Sequence, residues 1–167
     1  MAGEPIRVGV TGHRSFVDAA SVVGEVEHVL DDLVSHRSGA VEVWSSLAEG
    51  ADRIVARAGL ERQGGTLVAV LPLAPEDYRG DFSEPASRGE FDELLAVAAR
   101  VEVTGPDASG TRESAYERAG LAIVDHCDVL LALWDGEPSR GRGGTAEIVK
   151  AARRQGRDTL IVPVTRP

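Results

Sequence analysis

The sequence predicts a three-layer α/β domain, in which helices cover both faces of a mostly parallel central sheet. Short apolar segments alternate with longer segments whose apolar residues recur every three or four positions, as in strands and amphipathic helices. Three of the short segments are apolar almost throughout: 66–71, 128–134 and 159–164. The lack of polar alternation is typical of parallel strands that are buried on both faces.

The first half of the chain contains three predicted strands and two predicted helices. Residues 6–10 are short and β-branched and end before Thr11 and Gly12, which indicates a strand. Residues 72–88 contain three prolines and many charges, so we expect a long loop there. The same patterns predict the other elements of this half: a helix at 16–36, a strand at 41–44, a helix at 51–62 and a strand at 66–71.

The second half continues the alternation. Residues 136–144 are rich in glycine and arginine and are predicted as a loop, directly before a helix at 145–154. The remaining elements are predicted from their apolar spacing: helices at 90–99 and 111–126, and strands at 101–103, 128–134 and 159–164.

Length and composition limit the function classes. A chain of 167 residues fits one domain, 1–167. The net charge of −9 disfavours a nucleic-acid binder, which needs a basic surface, but it allows a local site for a small anion. There is no long apolar segment, no basic leader and a single cysteine, Cys127. We therefore expect a cytoplasmic protein with no membrane contact, no metal site and no bound cofactor.

Polar residues follow three predicted strands at the edge where their carboxyl ends meet. Ligands of open parallel sheets bind outside these ends, so the following residues are predicted to bind a ligand. They are Thr11, Gly12, His13 and Arg14 after the first strand, Ser45, Ser46, Glu49 and Asp52 after the second, and Asp135, Gly136, Gly143, Gly144 and Thr145 after the fifth.

The segment Gly143-Gly144-Thr145 is the most informative of these. Glycine lets a backbone N–H approach an anion closely, and the following helix contributes free N–H groups and the positive end of its dipole. The same residues also fit an ordinary helix-initiating turn. Neither the Gly-x-Gly-x-x-Gly fingerprint nor a Walker A loop is present, so a standard NAD site and a P-loop NTPase are unsupported.

Charged residues near this edge have two interpretations. Arg14 and Arg112 suit bidentate phosphate contacts, and Glu49, Asp52 or Asp135 suit ribose hydroxyls. Alternatively, Asp52 and Glu147 lie near helix N-termini and stabilise them electrostatically. Trp134 ends an apolar strand, which is typical of core packing, with base stacking as the alternative.

The motifs resemble those of the SLOG superfamily, Rossmann-like domains related to the LOG enzymes and to the DprA/Smf fold. The resemblance extends over about residues 6–164 and rests on four groups of residues: Thr11–Arg14, Ser46–Asp52, Leu71–Leu73 with Tyr78–Phe82, and Asp128–Gly136 with Gly143–Thr145. It implies a domain that binds or senses a nucleotide or a nucleotide-derived ligand. LOG members are commonly dimers, so a homo-oligomer is also an expectation.

LOG enzymes hydrolyse the N-glycosidic bond of nucleoside monophosphates, and this activity is the alternative function. Their pattern is Pro-Gly-Gly-x-Gly-Thr-x-x-Glu, whereas the third residue after Thr145 is Ile148 here. Glu147 lies one residue early and is the candidate catalytic acid. Arg118 occupies a shifted position relative to the Arg-Lys pair of LOG enzymes. The resemblance therefore favours ligand binding over hydrolysis.

Overall fold

The structure is a computed structural model that describes residues 3–167. Six strands form one sheet in the order β4-β3-β2-β1-β5-β6, and all neighbouring strands are parallel. The elements are β1 (Ile6–Gly12), α1 (Ala19–Arg37), β2 (Val41–Ser45), α2 (Ala51–Leu60), β3 (Thr66–Leu71), α3 (Pro75–Arg79), α4 (Pro85–Val97), β4 (Arg100–Val103), α5 (Arg112–His126), β5 (Val129–Trp134), α6 (Thr145–Arg154) and β6 (Asp158–Pro163).

Helices cover both faces of the sheet, which confirms the predicted three-layer α/β class. Within β5, Leu131 and Leu133 pack in the core with α1, α2, α3 and α4, whereas Leu130 and Ala132 pack against α5 and α6. Both sets are buried, and this explains why β5 shows no polar alternation. The core therefore consists of two apolar layers, one on each face of the sheet.

The order of the strands places a switch point between β1 and β5. From β1 the chain adds β2, β3 and β4 on one side, and α5 then returns it to the other side, where β5 pairs with β1. The connections on either side of this point diverge and leave a crevice at the carboxyl ends of the two strands.

The prediction of a loop over residues 72–88 was wrong. The segment contains α3 and the start of α4, and each helix has a proline in its first turn, where proline is tolerated. Tyr78 and Phe82 are fully buried; the Tyr78 ring packs edge-on against Phe82 and Phe91, and the Phe82 and Phe91 rings are tilted by 49° to each other. The abundance of charge concealed two aromatic residues spaced by one helical turn.

The other elements were predicted correctly in type, and their ends differ by a few residues. β1 continues two residues beyond the prediction to Gly12, and α2 ends at Leu60 instead of residue 62. Helix α6 begins and ends where predicted. Among residues 3–167, no helix is both long enough and apolar enough to cross a membrane.

Candidate functional site

A cavity of about 340 Å³ lies at the switch point, between the carboxyl ends of β1 and β5. This volume is within the range of small-molecule sites. Nine of the residues predicted to bind a ligand line the cavity: Thr11, Gly12, His13, Arg14, Ser46, Asp52, Gly143, Gly144 and Thr145. Segments that are distant in sequence therefore meet around one cavity.

The start of α6 forms one side of the cavity. Within the described chain, the N–H groups of Thr145 and Ala146 have no hydrogen-bond acceptor, as expected for the first turn of a helix. The neighbouring donors are already used: Gly143 N–H donates to the Glu147 carboxylate at 2.8 Å, and Glu147 N–H donates to the Ser139 hydroxyl at 3.3 Å. The start of α6 thus offers two free N–H donors beside the carboxylate of Glu147.

The turn after β1 forms the opposite side. Gly12 is tightly packed, because an added Cβ would lie 2.4 Å from Ala51 Cβ and 2.7 Å from the carbonyl oxygen of Leu133. The close packing of β1 against α2 and β5 therefore explains why this position is a glycine. The Arg14 guanidinium lies over the ring of Tyr116, 5.6 Å from its centroid, and no carboxylate of residues 3–167 forms an ion pair with it. Arg14 is thus an unneutralised cation at the cavity.

His13 and Asp135 fix the rim of the cavity. The His13 Nε2 atom lies 3.0 Å from the Asp135 carboxylate and 3.2 Å from the Asp135 backbone N–H, so a neutral ring accepts from the N–H and a protonated ring donates to the carboxylate. Burial by itself raises the pKa of the Asp135 carboxyl. The hydrogen bonds from Glu137 N–H, Arg166 and His13 outweigh this effect and lower the pKa to about 2. Asp135 is therefore ionised and fully occupied by protein donors.

Asp52 is the buried acid of the site. It lies in the first turn of α2, is 8% exposed, and accepts a hydrogen bond from Ala48 N–H at 3.1 Å. Burial raises the pKa of its carboxyl to about 7, although Ala48 N–H and the charges of Arg14 and Arg53 act in the opposite direction. A carboxyl that titrates near neutrality inside a cavity is typical of functional sites.

Four other predicted residues lie away from the cavity lining, and three of them are held by other protein groups. The buried Ser45 hydroxyl donates to the Asp52 carbonyl at 3.1 Å, and Glu49 accepts from the Ser87 hydroxyl at 3.0 Å. Arg112 pairs with Asp77 at 3.0 Å and Asp81 at 2.6 Å. Gly136 lies in an exposed turn with φ of 83°. With Asp135 and Glu147, these residues border the site without lining it.

Sequence analysis missed two tyrosines of the site, and Trp134 lines the cavity as well. Tyr78 comes from α3, within the supposed loop, and Tyr116 lies on α5, where it was hidden among small residues. The Tyr116 hydroxyl donates to Asp81, which connects the α3 region to α5. Both belong to segments rich in charge, and an aromatic residue in such a segment is a usable signal of packing or binding.

Arginines of the glycine-rich loop complete the surroundings. Arg140 is exposed, lines the cavity and pairs with no carboxylate of the described residues. Arg142 is paired with Glu117 at 3.0 Å and Asp107 at 3.2 Å. Arg140 therefore joins Arg14 as a cation at the cavity without a carboxylate partner among the described residues. Residues 3–167 contain no group of three or more His, Cys, Asp or Glu side chains that could hold a metal ion.

Comparison with known proteins identifies the fold. The sequence matches no protein-family model and no curated protein. DNA processing protein A (DprA) from Streptococcus pneumoniae aligns with 95% of this chain, with a TM-score of 0.65 and 21% identity. The structural genomics target TM1055 aligns with 92% (TM-score 0.55, 16% identity), and the Moco carrier protein of Chlamydomonas reinhardtii with 98% (TM-score 0.55, 18% identity). The chain therefore shares a three-layer, Rossmann-like α/β fold with these proteins. It spans 50% of the DprA chain, 72% of TM1055 and 79% of the carrier protein.

The residue at the position where the LOG pattern has its glutamate, Ile148, is apolar. Ile148 is buried and lines the cavity, whereas the exposed Glu147 points its carboxylate to Gly143 N–H outside the lining. A carboxyl group inside the cavity comes instead from Asp52, on the other side of the switch point. The chemistry available in the cavity therefore differs from that of the LOG pattern.

Proposed function

We propose that this SLOG-like domain binds or senses a nucleotide or a nucleotide-derived ligand in the cavity at the switch point. The observation that supports the proposal is the shared cavity of two segments, Thr11–Arg14 and Gly143–Thr145, which combine free backbone donors with unpaired arginine. This pairing suits a ligand that is anionic at one end.

The parts of the ligand would contact different groups. The phosphate would bind the free N–H groups of Thr145 and Ala146, with charge neutralisation from Arg14 and Arg140. The sugar would lie toward Asp52, and the half-buried Trp134 offers a flat surface for a base. Glu147 already occupies Gly143 N–H, so the phosphate would bind beside this carboxylate or displace it.

The charge of this chain, more than its structural neighbours, favours a small ligand over a nucleic acid. One is described as a molybdenum cofactor carrier and another as a DNA processing protein. The net charge of −9 opposes a polyanion of many phosphates but is compatible with one or two phosphates held in a cavity. We therefore place the present chain with the small-molecule binders.

A thermal-shift and calorimetric screen with AMP, ADP, ADP-ribose, NAD and cyclic nucleotides tests this proposal. A ligand present at about 100 times its dissociation constant stabilises the protein by about 2.7 kcal/mol. Arg14→Gln should weaken binding at least about fivefold, because it removes a charged contact. Arg154→Gln is the matched control, since Arg154 is exposed, lies outside the cavity lining and should leave affinity unchanged. Absence of a shift with every compound would reject the proposal.

Hydrolysis of a nucleoside monophosphate is the second candidate function, and one observation favours it. A general acid is most effective when its pKa lies near the working pH, and the pKa of Asp52 is about 7. Chromatographic detection of free base from AMP tests the activity. Loss of turnover in Asp52→Asn would assign the acid to Asp52, and loss in Glu147→Gln would assign it to Glu147. Absence of free base from the common monophosphates would leave binding as the function.

A further inference from the structure

The hydroxyl of Tyr78 is a buried polar group without a partner. Tyr78 has no exposed surface, and its oxygen forms no hydrogen bond within the described chain. Its ring is held by edge-on contacts with Phe82 and Phe91, at centroid distances of 5.1 and 5.6 Å. Buried hydroxyls are normally hydrogen-bonded, so an unpaired one next to a cavity calls for a partner from outside the protein.

This hydroxyl and the Asp52 carboxyl belong to the same cavity. Both side chains line it, both are more than nine-tenths buried, and the charge of Asp52 acts on the tyrosine. One Asp52 oxygen accepts from Ala48 N–H, which leaves further acceptor capacity. They come from α2 and α3, on the opposite side of the switch point from the free N–H groups of α6.

We infer that Tyr78 and Asp52 form a subsite that recognises neighbouring hydroxyl groups on the sugar of the ligand. The inference rests on the proposed nucleotide binding. It specifies in addition which part of the ligand Tyr78 recognises. A sugar diol offers two donors and two acceptors, which matches a tyrosine hydroxyl that donates and accepts beside a carboxyl group that accepts.

Other parts of a nucleotide fit this subsite less well. A phosphate would be repelled by an ionised Asp52 and has better partners at the start of α6. A base needs a flat, accessible surface, whereas Tyr78 presents a buried hydroxyl and its ring is enclosed by phenylalanines. An ordered water is the competing partner for Tyr78, and it would give no dependence on the hydroxyls of the ligand.

Calorimetry with three probes tests the inference: AMP, 2′,3′-dideoxy-AMP and inorganic pyrophosphate. The wild-type protein should bind AMP more tightly than the dideoxy analogue. Tyr78→Phe should reduce this preference by about 3- to 10-fold, the value of one hydrogen bond, and should leave pyrophosphate affinity unchanged. Ser35→Ala is the control, because it also removes a single hydroxyl but lies on α1, outside the cavity lining, where this hydroxyl donates to the Asp32 carbonyl. It should retain the preference for AMP.

A second measurement concerns the unliganded protein. Tyr78→Phe should have the same melting temperature as the wild type or a higher one, because the lost hydroxyl had no partner. A clear decrease would indicate a partner inside the folded protein and would overturn the inference.

The outcomes separate this inference from the proposed function. Equal affinity for AMP and its dideoxy analogue, or an undiminished preference in Tyr78→Phe, would overturn the diol subsite while nucleotide binding stands. Failure of all three probes to bind would overturn the subsite, and nucleotide binding would be rejected as well if ADP, ADP-ribose, NAD and cyclic nucleotides also gave no thermal shift. A preference for AMP that Tyr78→Phe reduces and Ser35→Ala retains supports both.

Discussion

The two sides of the cavity are built in different ways. The turns after β1 and β2, residues 11–14 and 46–52, are packed backbone against backbone: an added Cβ on Gly50 would lie 2.4 Å from the carbonyl oxygen of Arg14, and Ala51 N–H donates to the His13 carbonyl. The loop between β5 and α6 is largely exposed over residues 136–142, where an added Cβ on Gly136 or Gly141 would meet nothing within 4 Å, and it is closely packed only at Gly143 and Gly144, next to α6. Side-chain contacts from Glu147, Ser139 and Arg142 hold this loop.

The two sides of the cavity therefore differ in rigidity. The first side is determined by packing that any ligand finds already formed. The second side depends on exposed polar contacts, each of which contributes little and exchanges readily with a ligand or water. We expect the first side to select the ligand by shape and hydrogen bonding, and the second to adjust around its anionic end.

The largest expected difference in stability between the two sides is that between Gly50→Ala and Gly141→Ala. Gly50 has φ of 79° and no room for a Cβ, so alanine should lower the free energy of unfolding by about 2–5 kcal/mol. Gly141 has open space, and alanine there should change it by less than about 0.5 kcal/mol. Urea denaturation followed by circular dichroism measures both. Similar losses in the two variants would contradict the contrast.

Asp52→Asn tests the buried side through pH. Burial raises the pKa of Asp52 in the folded protein to about 7, above its value in the unfolded chain, so the folded state holds the proton more tightly. The wild type therefore loses stability as the pH rises from about 4 to about 7. Asparagine does not ionise, so the variant should be more stable by a few kcal/mol at pH ~8, and the gain should vanish near pH ~4.

Urea denaturation of both proteins at several pH values gives this difference directly. Glu147→Gln serves as the matched carboxyl-to-amide control, because Glu147 is exposed. A gain in Asp52→Asn that is constant with pH would show that the ionisation of Asp52 is not its source.

Glu147→Gln tests the polar contacts that hold the exposed side of the cavity. The Glu147 carboxylate accepts from Gly143 N–H and lies at the positive end of α6, so its removal should cost about 0.5–1 kcal/mol of stability. The same change removes a negative charge beside the free N–H groups, and pyrophosphate affinity should rise severalfold. Calorimetry measures the affinity, and a decrease would show that Glu147 contributes to binding.

The smallest effect is expected for Arg142→Gln. Arg142 is 43% exposed and pairs with Glu117 and Asp107, so its loss should cost less than about 1 kcal/mol, and less again at high salt. Denaturation at low and high ionic strength measures this, with Arg154→Gln as the unpaired control. A loss as large as that of Gly50→Ala would mean that the loop is as rigid as the opposite side.

The sequence predicted the sheet, its parallel direction and the helix α6 to the residue, because the strands are apolar throughout and Gly144-Thr145 mark the helix start. It also predicted which strand ends meet. Two kinds of information were lost. Tyr78 was part of a motif that resembles the SLOG superfamily, but the charges around it concealed that it is buried at the cavity. Partners distant in sequence could not be foreseen.

Partners distant in sequence explain why some of the predicted site residues do not line the cavity. Arg112 looks like a phosphate ligand until Asp77 and Asp81 are known to neutralise it, and Glu49 looks free until Ser87 donates to it. The composition of a loop shows which side chains could bind an anion. Only the tertiary structure shows which of them are already engaged.

The strand order has a consequence during synthesis. β1 pairs with β2 on one side and with β5 on the other, so its second edge stays unpaired until β5 has been synthesised. The first four strands can associate successively as they emerge, yet the helix whose first turn offers donors to a ligand is made after β5. The cavity is therefore complete only after α6 has been synthesised, and a shorter nascent chain would expose an unpaired strand edge without a complete ligand site.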